Sequence, residues 1–406
     1  MDDVGTLANA RRRARPDGHR SAAEVKARDL VFTFWHETWT DAMQRQFMTP
    51  DRLVQTLLVH ERVGGLLIAD PFRLAPTQLA WRLLGRRPVP IPSRKHATGV
   101  VSPLRLRRRD GIGEPLLRRT YEDYDRRLSA RSRELGLDHP AMITTNPFYA
   151  AYAPLRWAGP VTYYAFDDWA GYDGHAKWWT DYERAYRVIK ERGHRVCAVS
   201  RHLLDRIDPT GLGRVVANGI VPAEWQAPGR APEWLQALPH PRILYTGAIH
   251  VRLDVDAVRR VAQRFPQGSV IFMGPVVSPE IGRELSLIPG VHMQKEVDSR
   301  ELIVAVTSNV DVCIMPHHRN LLTESMSPLK IYEYCAAGRP VAATDISPVR
   351  GIHSHVVLVR DNHAFADGVE QALALGPIKE DDRQAFIAAN SWSRRHDAIL
   401  DLAFSE

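Results

Sequence analysis

Residues able to do chemistry crowd into Ser325–Thr344, SMSPLKIYEYCAAGRPVAAT. Ser327 reads as an N-cap and Pro328 as the first residue of a helix running to about Ala337. Gly338 then supplies a left-handed stop, and Pro340 blocks continuation. Lys330 falls in the first turn, at the positive end of the helix dipole, where a cation is unfavourable by about 0.3–1 kcal/mol. A side chain that breaks a local rule points to function, here an anion held by the terminal N–H groups and neutralised by Lys330. Glu333 lies three residues on, so it shares the lysine's face. Its carboxylate can accept two hydrogen bonds from a ribose diol. Phosphate and diol side by side describe a nucleotide diphosphate. The competing reading is an exposed Lys–Glu pair on an ordinary surface helix.

Candidates for proton transfer follow apolar, strand-like runs. Asp168 and His175 come after VTYYAF, and His36 comes after DLVFTFW, with Glu37 beside it. Asp167-Asp168 could equally cap the next helical segment, and His36 could pack on Trp39. His317-His318 follow another strand, but no third ligand stands nearby and no carboxylate pair has metal spacing. The expectation is therefore no metal and no cofactor. Trp178, Trp179 and Tyr182 read first as packing residues.

The elements that must position these residues repeat one grammar. Strands are expected at DLVFTFW, LLIADP, AMITTN, VTYYAF, VCAVS and VVANG. A helix from Pro50 to Val63 should be broken by Gly64-Gly65, and residues 73–140 read as long, basic and mostly helical. The stretch 222–241 holds five prolines and reads as a linker. RILYTG, SVIFMG, VHMQKE, DVCIMP, VAAT and VVLVRD then alternate with helices, and two helices finish the chain. The predicted fold is α/β, two doubly wound Rossmann-like domains facing across a cleft. The divisions are a disordered basic arm at 1–28, an N-terminal domain at 29–221, the linker at 222–241 and a C-terminal domain at 242–385. A last helical segment at 386–406 packs back on the N-terminal domain.

Composition bounds the partners. The 406 residues carry a net charge of +7. Between Arg86 and Arg133 there are 13 Arg and 1 Lys against 5 acidic residues, a local +9, so the remainder sums to −2. That patch suits an anionic substrate or a peripheral membrane contact. Tyr121 and Tyr124 sit among acidic residues and make no base-stacking platform, so nucleic acid is not expected. Cys197, Cys313 and Cys335 read as buried free thiols in a reducing cytoplasm. No secretory signal or membrane-spanning run is evident.

SPLKIYEYCAAGRPVAAT, with VVANGIVP before the linker and ILYTGAIHVRLD after it, resembles the GT-B glycosyltransferases of the retaining, family 4-like group. The likeness covers roughly Val196 to Asp361. It implies a nucleotide diphosphate sugar as donor substrate, bound mainly by the C-terminal domain. The diphosphate would meet Gly247, Arg252, Ser327, Pro328, Leu329 and Lys330, and Glu333 would hold the ribose. It also implies an acceptor facing the N-terminal half and transfer with retention and without metal; the charge of residues 86–133 suits an anionic or lipid-linked acceptor, and a small molecule stays open. Two positions depart from the pattern. The first motif glutamate, eight residues before the second, is replaced by Ser325, with Glu324 next to it as a substitute. The lysine expected after the phosphate-binding arginine is missing from Leu253-Asp254-Val255-Asp256, leaving Lys330 to supply that charge. The rival readings are a nucleotide-sugar epimerase on the same scaffold and a non-catalytic protein that binds a membrane or polyanion.

Overall fold

A computed structural model describes residues 27–44, 49–85, 89–107, 109–294 and 299–405. The expected basic arm lies almost wholly outside the described residues. The N-terminal half contributes β1 (Arg28–Thr33), β2 (Val63–Ala69), β3 (Arg73–Leu74), β4 (Thr98–Val101), β5 (Leu104–Arg105), β6 (Ala141–Thr144), β7 (Val161–Ala165), β8 (Arg195–Ala198) and β9 (Gly213–Val215). Seven of these form one parallel sheet in the order β4-β2-β1-β6-β7-β8-β9, while β3 and β5 pair with each other. The C-terminal half contributes β10 (Arg242–Thr246), β11 (Ser269–Met273), β12 (Val291–Gln294), β13 (Val312–Met315), β14 (Val341–Thr344) and β15 (Val356–Val359). Their parallel sheet runs β12-β11-β10-β13-β14-β15. Each sheet reverses its winding beside its first strand, at β1/β6 and at β10/β13. Ligands bind at such reversals, beyond the carboxyl ends of the strands. The α/β class with two Rossmann-like halves is therefore as the sequence implies.

The apolar runs become strands because both faces of each sheet are covered. β2 is buried along its whole length, as are β6, β7, β10, β11, β13 and β14. The helix ends at Val59, ahead of the expected break at Gly64-Gly65, and both glycines lie inside β2. A Cβ on Gly65 would stand 2.3 Å from Leu137 Cδ2 and 3.0 Å from Asp29 Oδ1, so close packing, not turn geometry, explains the glycine. Within 73–140 the structure adds β4, missed in the basic stretch, before the long helix Glu114–Glu134. After β15 there are three helices, Phe365–Leu375, Glu380–Ala389 and Trp392–Phe404, where two were expected.

The linker stretch folds as short helices at Pro222–Trp225 and Glu233–Gln236, and Trp225 is wholly buried in the C-terminal core. The last helix crosses back: Ile399, Leu400, Leu402, Ala403 and Phe404 join the N-terminal core. The backbone carbonyl of Ala403 also accepts from the Arg195 guanidinium, at 3.1 Å. Removing a buried leucine side chain costs about 2–5 kcal/mol. Leu400→Ala should therefore lower stability by that order in urea unfolding. An unchanged midpoint would mean that the last helix does not hold the N-terminal domain.

Candidate functional site

A cavity of about 590 Å³ opens at the carboxyl ends of β1, β2 and β6. Its walls are aromatic, with Trp35, Phe72, Tyr121, Phe148, Trp178 and Tyr182, and its polar groups include His36, His175 and Asn146. Arg73, Arg105 and Arg109 also line it, with Asp110 paired to Arg105. The His36 ring lies 4.7 Å from Trp169 and 4.9 Å from His175. His175 places Nδ1 3.0 Å from the Tyr182 hydroxyl. Crowding among rings, and then the neighbouring His175, lowers the basicity of His36. Burial and then Arg109 do the same for His175. Both imidazoles are therefore neutral near pH 7 and able to accept a hydrogen bond from a hydroxyl. Glu37 turns away from this cavity. It is buried toward Asp51, and loss of water raises its pKa to about 7.

Asp168 corrects an expectation. It is wholly buried, ion-paired with Arg206, and accepts from Ser325 Oγ at 2.8 Å. That carboxylate joins the two domains and is not open to a substrate. Its neighbour Asp167 is only partly buried and lies close enough to Arg252 of the other domain to feel its charge. Burial outweighs that attraction and raises the Asp167 pKa from 3.8 to about 6. Successive residues of extended backbone point to opposite sides, and Asp168 is extended, with φ −94° and ψ 91°. A one-residue parity decides which aspartate meets the cleft.

On the facing domain, Gly247, Arg252 and Lys330 come together. Lys330 Nζ donates to the Tyr245 hydroxyl at 2.6 Å and lies 3.8 Å from the centre of that ring. Gly247 has φ +108°, and a Cβ there would stand 3.4 Å from Lys330 Nζ. Desolvation, and then Arg252, push the Lys330 pKa well down, opposed by Glu333. His317 is held neutral by burial, then by Lys330 and Arg252, and its Nδ1 has no hydrogen-bond partner among the described residues. The site is thus a concentration of positive charge that an anion would relieve.

The turn before the helix departs from the predicted capping. The helix is Leu329–Ala336, Pro328 occupies the N-cap position, and no side chain caps it. Ser327 is engaged elsewhere: its Oγ accepts from the Asn218 N–H at 3.0 Å, and its carbonyl accepts from Asn218 Nδ2 at 2.7 Å. Glu324 does not take the place of the missing glutamate. It accepts from the Ser347 N–H at 2.8 Å and pairs with Arg319 at 3.4 Å. Glu333 and Lys330 diverge rather than flank one opening. Glu333 pairs with Arg300 at 2.7 Å, in a small cavity of about 40 Å³ that Leu329 also lines. Arg300 continues to Glu224 at 2.7 Å, and Glu224 to Arg52 at 3.4 Å, a charge chain from one domain to the other. Nothing in the spacing of these four residues signalled that chain. Among the described residues no three His, Cys, Asp or Glu side chains gather as a metal site.

Known proteins agree with this layout. Residues 240–374 match the family model described as Glycosyl transferases group 1. TuaH of Bacillus subtilis (strain 168), whose name assigns it as a glycosyltransferase of teichuronic acid biosynthesis, is 26% identical over 219 residues, 50% of this chain and 54% of that protein. The match thus spans about half the length of that curated relative. Sucrose-phosphate synthase from Thermosynechococcus elongatus superposes with a TM-score of 0.66 at 15% identity, over 92% of this chain and 98% of that one. An E. coli trehalose-6-phosphate structure bound with UDP-2-fluoro glucose superposes at 0.63 and 12% identity, over 93% and 99%. The fold is GT-B, and the resemblance to GT-B glycosyltransferases drawn from the sequence holds.

Asp167 supplies a pH test. An acid whose pKa is raised by folding adds stability below its unfolded value and loses it as pH rises through the folded value. Relative to wild type, Asp167→Asn should gain stability as pH rises from about 4 to about 6, then hold constant. Denaturant midpoints across that range check this, and a pH-independent difference would place Asp167 in water.

Proposed function

We infer, from a GT-B chain whose C-terminal domain matches the group 1 glycosyl transferases, that this protein moves a sugar from a nucleotide diphosphate sugar to an acceptor hydroxyl. One observation carries the reading most: Lys330 and Arg252 are held side by side, with Lys330 partly desolvated, at a helix start that no side chain caps. Two cations in such a place are costly unless a dianionic group joins them. The diphosphate of the donor is that group, and the acceptor takes the aromatic cavity of the facing domain.

The chemistry follows from the charge layout. The bond between the anomeric carbon and the phosphate oxygen breaks, its electron pair leaving with the diphosphate. Arg252, Lys330 and the N–H groups of the helix start stabilise the growing negative charge without rearrangement. The acceptor hydroxyl forms the new bond to the anomeric carbon. In the retaining course that the resemblance implies, its proton passes to the leaving phosphate oxygen. His36 and His175, both neutral, orient that hydroxyl, and Asp167 stands opposite Arg252 beside the path. Glu333 reaches a ribose only by sharing its carboxylate with Arg300. The three buried free cysteines fit a cytoplasmic setting.

Donor binding has a proton signature. An anion beside Lys330 raises the pKa that desolvation and Arg252 have lowered, so binding favours the protonated amine. At a pH above that lowered pKa, calorimetry with UDP, GDP, dTDP and ADP in buffers of different ionisation enthalpy should show proton uptake for whichever binds, and none in Lys330→Met. That substitution should weaken the diphosphate roughly tenfold or more while sparing the bare nucleoside. If no nucleotide binds, or if Lys330→Met binds as wild type does, the donor assignment fails. Glu333→Ala should weaken the nucleotide by about 1–3 kcal/mol if the ribose shares that carboxylate.

A further inference from the structure

The surface beside the aromatic cavity is unusually apolar for a region so rich in arginine. Among the described residues, eight of the seventeen exposed large apolar side chains fall between Leu79 and Leu116. Leu83 is 80% exposed and Leu106 82%. Leu79 and Leu83 stand one helical turn apart on Ala75–Leu83, with Leu84 next to them. That helix leaves β3, which pairs with β5. Nine residues of helix extend only about 14 Å, which bounds how far its leucines lie from β3. Leu104, Leu106 and Leu116 line a groove beside β5. The same groove carries six arginines against Glu122 and Asp123. Arg126 and Arg127 pair with Asp123, and Arg105 with Asp110. Arg107, Arg109 and Arg119 have no carboxylate partner among the described residues. Phe72, Arg105 and Arg109 line both the groove and the aromatic cavity, so the two openings adjoin.

We propose that this face docks on an anionic lipid surface, leucines entering the interface and arginines meeting the headgroups. Unpaired arginines select an anionic partner, and exposed leucines select one with an apolar interior. A nucleic acid would use the arginines but give the leucines nothing to enter. Docking brings the mouth of the aromatic cavity to the membrane surface, where an acceptor carried on a lipid is presented. That last step rests on the transfer reading above; the docking itself does not.

Flotation of the full chain with phosphatidylcholine vesicles, with and without phosphatidylglycerol, tests it. Binding is expected to the anionic vesicles and not to the neutral ones, weakening as salt rises. Arg107→Glu and Arg119→Glu should each reduce vesicle binding roughly fivefold or more. Leu83→Glu combined with Leu106→Glu should reduce it at least as far, while leaving nucleotide binding and the melting temperature of the chain unchanged, since these side chains are exposed. Should a variant melt lower, Arg107→Gln and Leu106→Ser provide milder versions of the same comparison. Equal binding to both vesicles, binding to neither, or charge-dependent binding to single-stranded RNA that ignores the leucines would each overturn the proposal. Loss of vesicle binding without loss of nucleotide binding separates this failure from failure of the donor assignment.

Discussion

The arrangement of the cleft depends on a contact between the domains made by five residues. Ser325 reaches back to Asp168 and its carbonyl accepts from Ser200 Oγ at 2.6 Å, while Ser327 is clasped by Asn218. Asp168 is buried and charge-compensated by Arg206, so removing any partner strands another polar group away from water. The next residues of the chain are Pro328 and the start of the helix that carries Lys330. The segment joining the domains therefore also sets the position of Lys330. This accounts for serine at position 325: its short side chain reaches Asp168, where a glutamate would bring a second carboxylate against a buried one.

Around that contact the two sides of the cleft carry opposite electrostatic designs. On the C-terminal side Lys330, Arg252, His317 and His318 stand within each other's field. Gathering positive groups here costs stability that Glu333 and Asp254 only partly offset, and the cost falls most on Lys330, whose hydrogen bond goes to the neutral Tyr245 hydroxyl. On the N-terminal side, ring packing keeps His36 and His175 uncharged and Asp167 less acidic than usual. Sites that violate good local electrostatics in this way are those where a ligand completes the balance.

Much of the fold was legible because each strand is a short apolar run bounded by polar or small residues, and burial on both sheet faces demands such runs. The exceptions have physical reasons. Gly64-Gly65 reads as a turn, yet glycine also appears where Leu137 and Asp29 crowd a strand. β4 is only four residues long and hides in a basic, proline-rich stretch. The misplaced charge of Lys330 was visible because dipole arithmetic is local. The pairing of Glu333 with Arg300, the use of Ser327 by Asn218 and the engagement of Glu324 with Ser347 were not, since those partners lie far away along the chain. For Asp167 and Asp168, pattern places a strand end only to within a few residues, so it could not tell which of the two would be buried between the domains.

The charge chain Arg52–Glu224–Arg300–Glu333 adds a constraint on how the cleft can work. Its first member belongs to the N-terminal domain, its second to the linker and its last two to the C-terminal domain. The pairs are partly buried, so each link gains strength from poor solvation, and none can open without exposing the next to an unbalanced charge. A diol hydrogen-bonding to Glu333 competes with Arg300 for the same oxygens. Arg300 can yield only if Glu224 takes more of it, and Glu224 is also the partner of Arg52. Occupancy of the small cavity is thereby linked to the contact between the domains through four side chains. Lys330 is separate from that chain, since its hydrogen bond runs to Tyr245 inside its own domain. Lys330 is thus held within one domain, while the Glu333 carboxylate belongs to a chain of charges shared between the two.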